Sequence, residues 1–221
     1  MQAMPPALTI RAVLGALTVL LLAASPGILG AQRAPTLDPV ASAADQGRIL
    51  GSEKAPLWIL IVSDFQCPFC RTWHGETWEQ LRKEYVASGK VRVAYVHFPL
   101  GQHPNARPTA IASMCAAAQG KFWAMADQIF KTQDRWKDLK DPRAFLDSLA
   151  RSQGLDTARQ RACVASPAVA ALVEADRVRM TRAGAGSTPT FFIGSKRLEG
   201  AQPIAAFRKV IDAELQASRS R

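Results

Sequence analysis

Cysteine is scarce in this chain: four of the 221 residues are cysteine, and none of them precedes position 67. A lipid anchor at the amino end would need a cysteine where a leader is cleaved, so we expect no such anchor. The sequence also lacks internal repeats, low-complexity tracts and a basic stripe interleaved with aromatic residues. These absences exclude repeat architectures and argue against nucleic acid as a partner.

Basic residues outnumber acidic ones by 28 to 18, which gives a formal net charge of +10. Such a charge could attract anionic lipid or acidic polypeptides. The basic residues are nevertheless scattered through predicted helices, and Arg outnumbers Lys 19 to 9, so we attribute the charge to compositional bias. With 48% hydrophobic and 21% charged residues, the composition is that of a globular protein with one core, or with a core and an insertion.

A long apolar run lies near the amino end, where Arg11 precedes residues 12–24. Its length fits the central region of a signal peptide and is short for a membrane span. We therefore expect residues 1–31 to be a signal peptide, or an uncleaved anchor, and the protein to be exported to the periplasm. Residues 32–52 are small and polar and contain two prolines, which predicts an extended lead-in with little structure of its own.

The most informative motif is a pair of cysteines, Cys67 and Cys70, separated by Pro68 and Phe69. The motif follows an apolar run at residues 57–62, typical of a buried strand with parallel neighbours, and it opens a segment with helical spacing. The first cysteine then lies at a helix start, where free backbone N–H groups and the helix dipole favour a thiolate. We expect Cys67 to be an exposed attacking thiol with a pKa below that of free cysteine, and Cys70 to resolve the mixed disulfide.

A C-x-x-C spacing also supplies half of many zinc sites. The other cysteines, Cys115 and Cys163, have no close neighbours of ligand type, and His74 is the one candidate third ligand. His74 would share a helix face with Cys67 and Cys70, since the three lie at i, i+3 and i+7. The segment offers little further polar support, so we expect no metal. His74 is then a half-buried helix residue, or a charge that tunes the thiolates.

The remaining cysteines indicate a second pair. In an oxidising compartment an even number of cysteines predicts two disulfides, and Cys67 with Cys70 leaves Cys115 with Cys163. We expect the latter bond to be structural. Two buried free thiols, packed as small apolar groups, are the alternative.

The predicted elements follow the order strand, helix, strand, a block of helices, then two short strands and a helix. Strands are predicted at 57–62, 91–98, 190–193 and 196–198, and helices at 68–88, 142–152, 157–165, 167–182 and 203–217, with further helical faces around 111–118 and 122–130. We therefore expect an all-helical insertion at 103–184 within a domain formed by 53–102 and 185–221.

Three segments resemble the DsbA family of exported thiol oxidoreductases, within the thioredoxin superfamily. They are residues 63–70, 120–123 and 187–194, with the sequences SDFQCPFC, GKFW and STPTFFIG. The likeness extends over roughly residues 49–215. It implies an α/β protein with the thioredoxin-like fold and an inserted all-helical domain. It also implies disulfide exchange through a redox-active disulfide between Cys67 and Cys70, with no cofactor.

By the same resemblance, Pro189 is a cis proline that faces the C-x-x-C, with Thr188 before it, and both join the catalytic set. A plain turn at the entry to the next strand is the alternative. A substrate backbone is expected to pair at Thr188 and to lie across Cys67. The expected substrate-binding residues are Phe65, Pro68, Phe69, Thr188 and Pro189. The resemblance gives Cys115 and Cys163 no catalytic part.

The sequence departs from the family pattern at two positions. Many relatives carry an acidic residue six positions before the first cysteine, where this chain has Ile61. The strongest oxidants of the family carry a histidine where this chain has Phe69. Asp64 is the nearest acidic residue in sequence, and proton transfer at the buried thiol through Asp64 or water is a hypothesis.

Three functions are compatible with these features. The favoured one is an exported, monomeric oxidase that introduces disulfides into unfolded or reduced exported polypeptides and is recharged by a quinone-linked thiol oxidase of the membrane. The second is an isomerase or reductase, although the segment before Trp58 is short for the usual dimerisation domain. The third is a chaperone-like module that presents an apolar surface around Phe65, Phe69 and Pro189.

Overall fold

The structure is a computed structural model and describes residues 38–219. Its elements, in chain order, are α1 (Pro39–Gly47), β1 (Ile49–Leu50), β2 (Leu57–Ser63), α2 (Pro68–Trp73), a π-helical turn (His74–Trp78), α3 (Glu79–Leu81), a second π-helical turn (Arg82–Val86), β3 (Val91–His97), α4 (Ala106–Ala117), α5 (Phe122–Lys131), α6 (Gln133–Trp136), α7 (Arg143–Ser152), α8 (Thr157–Val164), α9 (Pro167–Arg182), β4 (Thr190–Ile193), β5 (Lys196–Glu199) and α10 (Ile204–Arg219). The predicted signal peptide at residues 1–31 lies outside the described residues, as do residues 32–37. Within 38–219 the strands form one sheet in the order β1-β3-β2-β4-β5, which confirms the predicted α/β class.

The central strand β2 lies parallel to β3 on one side and antiparallel to β4 on the other. The expectation of parallel neighbours therefore holds on one side only, because β4 begins beside the carboxyl end of β2, with Thr190 opposite Val62. The amino end of β2 is less buried than predicted: Trp58 is 41% exposed, and the Arg92 guanidinium lies 4.8 Å from the centre of its ring. The antiparallel pairing has a further consequence, since it brings the residues before β4 next to those after β2.

The predicted helix at 68–88 forms as a helical segment that is interrupted by the two π-helical turns. A π-helical turn closes its hydrogen bonds at i+5 and so shifts the following side chains around the helix axis. The face count that grouped His74 with the two cysteines assumed an unbroken α-helix. It holds as far as His74, whose N–H donates to Cys70 O, and fails only for the residues after it.

The lead-in predicted for 32–52 is wrong over its described part, which contains α1 and β1. The Asp38 carboxylate accepts a hydrogen bond from Ala41 N at 2.9 Å and caps the helix, which Pro39 begins. Small residues let this helix pack closely against α4. A Cβ on Gly47 would lie 2.1 Å from the carbonyl oxygen of Ala117. The small residues here belong to a closely packed helix and not to an extended chain.

Helices α4 to α9 separate β3 from β4, which agrees with a helical block between the two halves of the sheet. Helix α4 lies inside this block, and Met114 and Cys115 on it are completely buried. Cys115 on α4 is joined to Cys163 on α8 by a disulfide. The Asp156 carboxylate caps α8, as expected for a helix that starts at residue 157. The boundaries 53–102, 103–184 and 185–221 stay predictions.

A buried ion pair fixes α1 and α9 to the sheet. Arg48 and Asp176 are 5% and 1% exposed, and the Arg48 guanidinium donates to both Asp176 carboxylate oxygens. The same guanidinium donates to Tyr95 O at 3.2 Å, and His97 N donates to Asp176 Oδ2 at 3.0 Å. Both charges are therefore hydrogen-bonded, which a buried pair requires in order not to destabilise the fold.

Removing one charge from this pair should lower the stability of the fold. We expect Asp176→Ala to lower the free energy of unfolding by about 3 kcal/mol, because Arg48 stays buried with only Asp45 as an acidic partner. Urea denaturation measures the loss. Glu174→Ala on the same helix is the control, since its exposed pair with Arg177 should contribute less than about 1 kcal/mol. Equal losses in the two variants would contradict this account.

The disulfide should stabilise the helical block through the unfolded state. It closes a separation of 48 residues, for which the chain-entropy model gives about 4 kcal/mol. We expect a protein carrying both Cys115→Ala and Cys163→Ala to unfold at lower urea with a loss of that order. Its thiol exchange at Cys67 should match that of the parent protein, since neither residue contacts the C-x-x-C.

Candidate functional site

The turn between β2 and α2 places Cys67 at the start of a helix. Asp64 closes this turn: its Oδ1 accepts from Gln66 N at 2.7 Å, and its carbonyl oxygen accepts from Cys67 N at 3.1 Å. Cys67 is the N-cap residue of α2, and Pro68 takes the first helical position, where no N–H is needed. The free N–H groups of the first helical turn are therefore close to the Cys67 sulfur.

Cys67 and Cys70 are free thiols, so the structure represents the reduced state. Cys67 is 3% exposed and Cys70 is completely buried. The expectation of an exposed Cys67 is thus wrong in this conformation, because the segment before β4 lies over its sulfur. Cys67 Sγ lies 3.4 Å from Thr188 O, to which its protonated form can donate, and the Thr188–Pro189 peptide bond is cis.

The environment of Cys67 favours its thiolate. The pKa of Cys67 is lowered from 9.0 to about 6, first of all by a hydrogen bond from the Cys70 thiol. The Thr188 hydroxyl and the backbone N–H groups of Cys70 and Phe69 lower this pKa further. Burial acts in the opposite direction, because removal from water penalises a charged sulfur. The donors outweigh burial, as expected for a sulfur at a helix start.

Cys70 has the opposite character. Burial raises the pKa of Cys70 well above its usual value, and the neighbouring Cys67 raises it further. The backbone N–H of Asp64, 3.5 Å from Cys70 Sγ, opposes this only weakly. At neutral pH the site therefore holds one thiolate and one thiol, so it can attack a disulfide through Cys67 while Cys70 stays protonated.

The Asp64 side chain is completely buried, and it is turned toward the loop after β3. Its Oδ2 accepts from Leu100 N at 2.9 Å and bonds His103 Nδ1 at 2.7 Å. Its contact with Cys70 is made through the backbone. These contacts make Asp64 a brace of the active-site turn, and its part in proton transfer stays a prediction. Ile61, where relatives carry an acid, lies opposite Tyr95 in the sheet register.

The five expected substrate-binding residues do not share one surface. Phe69 is 64% exposed and Pro68 is exposed, whereas Thr188 and Pro189 are buried against the cysteines. Phe65 is 1% exposed, so its assignment as a substrate contact is wrong. It packs between aromatic rings, with its centroid 5.1 Å from that of Tyr95 and 4.9 Å from that of Phe130.

His74 makes other contacts than the metal hypothesis requires. His74 Nε2 bonds Asp127 Oδ1 at 2.7 Å, and the imidazole packs on Phe130 at 4.6 Å between ring centroids. The side chain is 9% exposed. Across residues 38–219 no three His, Cys, Asp or Glu side chains are grouped closely enough to hold a metal ion.

Sequence reasoning missed a set of side-chain amides beside the C-x-x-C, of which those of Gln133 and Asn105 are buried. Gln133 Nε2 donates to Phe65 O at 2.7 Å and to Cys67 O at 3.2 Å. Gln66 Nε2 donates to Lys137 O at 2.8 Å, and Gln66 Oε1 accepts from Asn105 N at 2.7 Å. Gln66 belongs to the 63–70 motif, whereas Gln133 and Asn105 come from two other segments and form no motif, so the sequence contained no signal for those two.

A groove of about 1040 Å³ runs beside this site. One wall is formed by residues of α2 and the first π-helical turn, the other by residues of α5 and α6. Arg71 and Asp134 form an ion pair between the two walls at 2.6 Å. Pro68 and Gln66 line the end that is next to Cys67.

Comparison with known proteins gives a family. The thioredoxin family model matches residues 43–213. The chain is 33% identical over 186 residues to a Na(+)/H(+) antiporter NhaA of Herminiimonas arsenicoxydans, a match that covers 84% of this chain and 28% of that protein. The chain thus spans less than a third of the length of the curated antiporters that it matches first. In the part of the chain that the structure describes, no helix has the length and apolar character needed to cross a membrane.

Two further matches are to a curated disulfide bond formation protein and to a solved structure. A probable disulfide bond formation protein D of Bacillus anthracis is 32% identical over 87 residues, which are 39% of this chain and 40% of that protein. The crystal structure of alpha-DsbA1 from Wolbachia pipientis has a TM-score of 0.70 and 22% identity, and the match covers 78% of this chain and 92% of that one. This likeness confirms the predicted thioredoxin-like fold with inserted helices. The chain therefore belongs to the thioredoxin family.

Proposed function

We propose that this chain donates the Cys67–Cys70 disulfide to reduced cysteines of exported polypeptides. The observation that supports this function is the difference between the pKa values of the two thiols. The pKa of Cys67 is lowered to about 6, and that of Cys70 is raised. A dithiol with one stable thiolate favours its reduced form. Its disulfide is consequently a better oxidant.

The exchange takes place in two displacements at sulfur. A substrate thiolate attacks the Cys67 sulfur of the oxidised protein, and the Cys67–Cys70 bond breaks as the mixed disulfide forms. Cys70 leaves with the electron pair and takes up a proton. A second substrate thiolate then attacks the first substrate sulfur and releases Cys67 as a thiolate. The substrate loses two electrons and gains a disulfide, and the protein keeps the two electrons as its reduced pair.

The Cys67 thiolate stabilises the reduced protein by a modest amount. At pH 7 a thiol with a pKa of about 6 stabilises the reduced protein about tenfold more than a thiol with the ordinary value, or by ~1.4 kcal/mol. For a two-electron couple this is about 30 mV. The strongest oxidants of this superfamily differ from thioredoxin by roughly 150 mV. The uncharged Phe69 between the cysteines adds no electrostatic help, so we infer an oxidant of intermediate strength.

The surface around Cys67 supports a polypeptide as substrate. Phe69 is 64% exposed, and with Pro68 it offers an apolar contact at the edge of the site. The adjacent groove could take the chain on one side of the reacting cysteine. The buried position of Phe65 removes part of the surface on which the chaperone-like alternative depended. We further propose export to the periplasm, a monomeric state and, as the resemblance implies, reoxidation by a membrane quinone-linked thiol oxidase.

A redox titration with glutathione decides the direction of electron flow. We expect a reduction potential above that of thioredoxin, with a contribution of about 30 mV at pH 7 from the Cys67 thiolate. Because the Cys67 pKa lies below that of an ordinary thiol, the extra stabilisation of the reduced over the oxidised protein should be nearly absent below pH 6 and should grow up to about pH 9. A potential as low as that of thioredoxin would favour a reductase and overturn the proposal.

Substitution of Cys70 should change the ionisation of Cys67. In Cys70→Ala the donor that lowers the Cys67 pKa most is lost, so we expect this pKa to rise toward that of free cysteine. Cys70→Ser keeps a donor and should raise it less. Ultraviolet titration of the thiolate measures both, with Cys67 as the titrating thiol while Cys115 and Cys163 stay bonded. An unchanged pKa in Cys70→Ala would show that the helix start alone sets the thiolate.

A further inference from the structure

Gln133 connects the helical block to the reactive cysteine. Its Nε2 donates two hydrogen bonds, to Phe65 O at 2.7 Å and to Cys67 O at 3.2 Å. The side chain is 2% exposed, so water does not replace these bonds readily. Both accepting carbonyls belong to the turn that places Cys67 at the start of α2.

The helix that carries Gln133 is itself held firmly. Helix α6 has four residues, and its last residue, Trp136, is completely buried and donates from Nε1 to Ile129 O at 2.9 Å. Asn105 Nδ2 adds bonds to the carbonyl oxygens of Trp136 at 3.2 Å and Lys137 at 3.1 Å. These hydrogen bonds hold α6 in place, so the Gln133 amide stays next to the turn.

The two carbonyls matter because of where they lie. Carbonyl oxygens carry partial negative charge, and those of residues 65 and 67 flank the sulfur-bearing residue. An N–H donor on each oxygen offsets that charge. The bond to Cys67 O, which also accepts from Arg71 N at 3.2 Å, is a second restraint on the peptide plane after Cys67, and this plane sets how the first N–H groups of α2 point relative to Cys67 Sγ.

We propose that Gln133 is a positioning residue that holds the turn at Cys67 so that the helix start faces the sulfur as a donor. It does not touch the reacting atoms. This inference rests on the proposed disulfide exchange and deepens it: the inserted helices then act on the reactivity of the thiol as well as on the fold.

The test compares two buried glutamines. In Gln133→Leu we expect the Cys67 pKa to rise by about one unit. Gln160→Leu is the matched control, because Gln160 is 1% exposed and its Nε2 donates to Ala112 O at 2.8 Å, far along the chain from the turn. The control should lose stability and leave the thiol pKa unchanged. Ultraviolet titration of the thiolate and urea denaturation give the two readouts.

The rate of exchange gives a second readout that a purely structural role would not produce. Reaction of the reduced protein with glutathione disulfide should slow about twofold at pH 6 in Gln133→Leu, because the thiolate fraction falls. At pH 8 it should become about twofold faster, because a more basic thiolate is the better nucleophile. Gln160→Leu should show no such crossing of the pH profiles.

Gln133→Glu serves if the leucine variant does not fold. Its shape is the same, and burial beside two carbonyl oxygens keeps its carboxyl protonated, so one O–H donor replaces two N–H donors and the Cys67 pKa should rise by less than in Gln133→Leu. An unchanged Cys67 pKa in a folded Gln133 variant would overturn this inference and leave the proposed function intact. An ordinary pKa in the unmodified protein would instead contradict the proposed function itself.

Discussion

The chemistry of this fold depends on keeping a buried sulfur as an anion. Cys67 is 3% exposed, so water cannot stabilise its thiolate and protein donors have to do so. The donors are the Cys70 thiol and the first N–H groups of α2, and the Thr188 side chain beside the sulfur lowers its pKa further. Thr188 is close by because β4 runs antiparallel to β2, with Thr190 opposite Val62. The register of the sheet is therefore part of the thiol chemistry.

Local periodicity was sufficient to predict most of the fold. Strand β4 was predicted at its observed residues, and the helices of the inserted block were placed to within a residue or two where caps marked their starts, as Asp156 does for α8. The failures concern features that depend on distant partners. Helix α1 is stabilised by packing of Ala and Gly against α4, which the residues around Gly47 cannot indicate alone. The π-helical turns after Trp73 likewise leave no simple periodic pattern.

The sequence allowed the site residues to be predicted only where they belong to a motif. The C-x-x-C and the Thr188–Pro189 pair could be placed together through resemblance, and the structure does bring them into contact. Phe65 was misplaced because its aromatic neighbours come from residues far along the chain, so that its exposure could not be judged from the loop itself. Gln133 was missed for the same reason. A single glutamine among helices gives no hint that its amide reaches a turn more than sixty residues earlier.

The two cysteines are made unequal by what surrounds the inner one. Cys70 is buried among groups that do not act as bases: Asp64 meets it through a backbone N–H, and the Asp64 carboxylate is already held by three donors. Burial raises the pKa of Tyr95 well above its usual value, so this phenol keeps its proton at neutral pH. Cys70 therefore stays protonated and donates to Cys67, and that donation is the largest cause of the lowered Cys67 pKa. Burial of one sulfur thus lowers the pKa of the other, and in the proposed exchange attack through Cys67 comes first because Cys70 cannot ionise while its partner carries the charge.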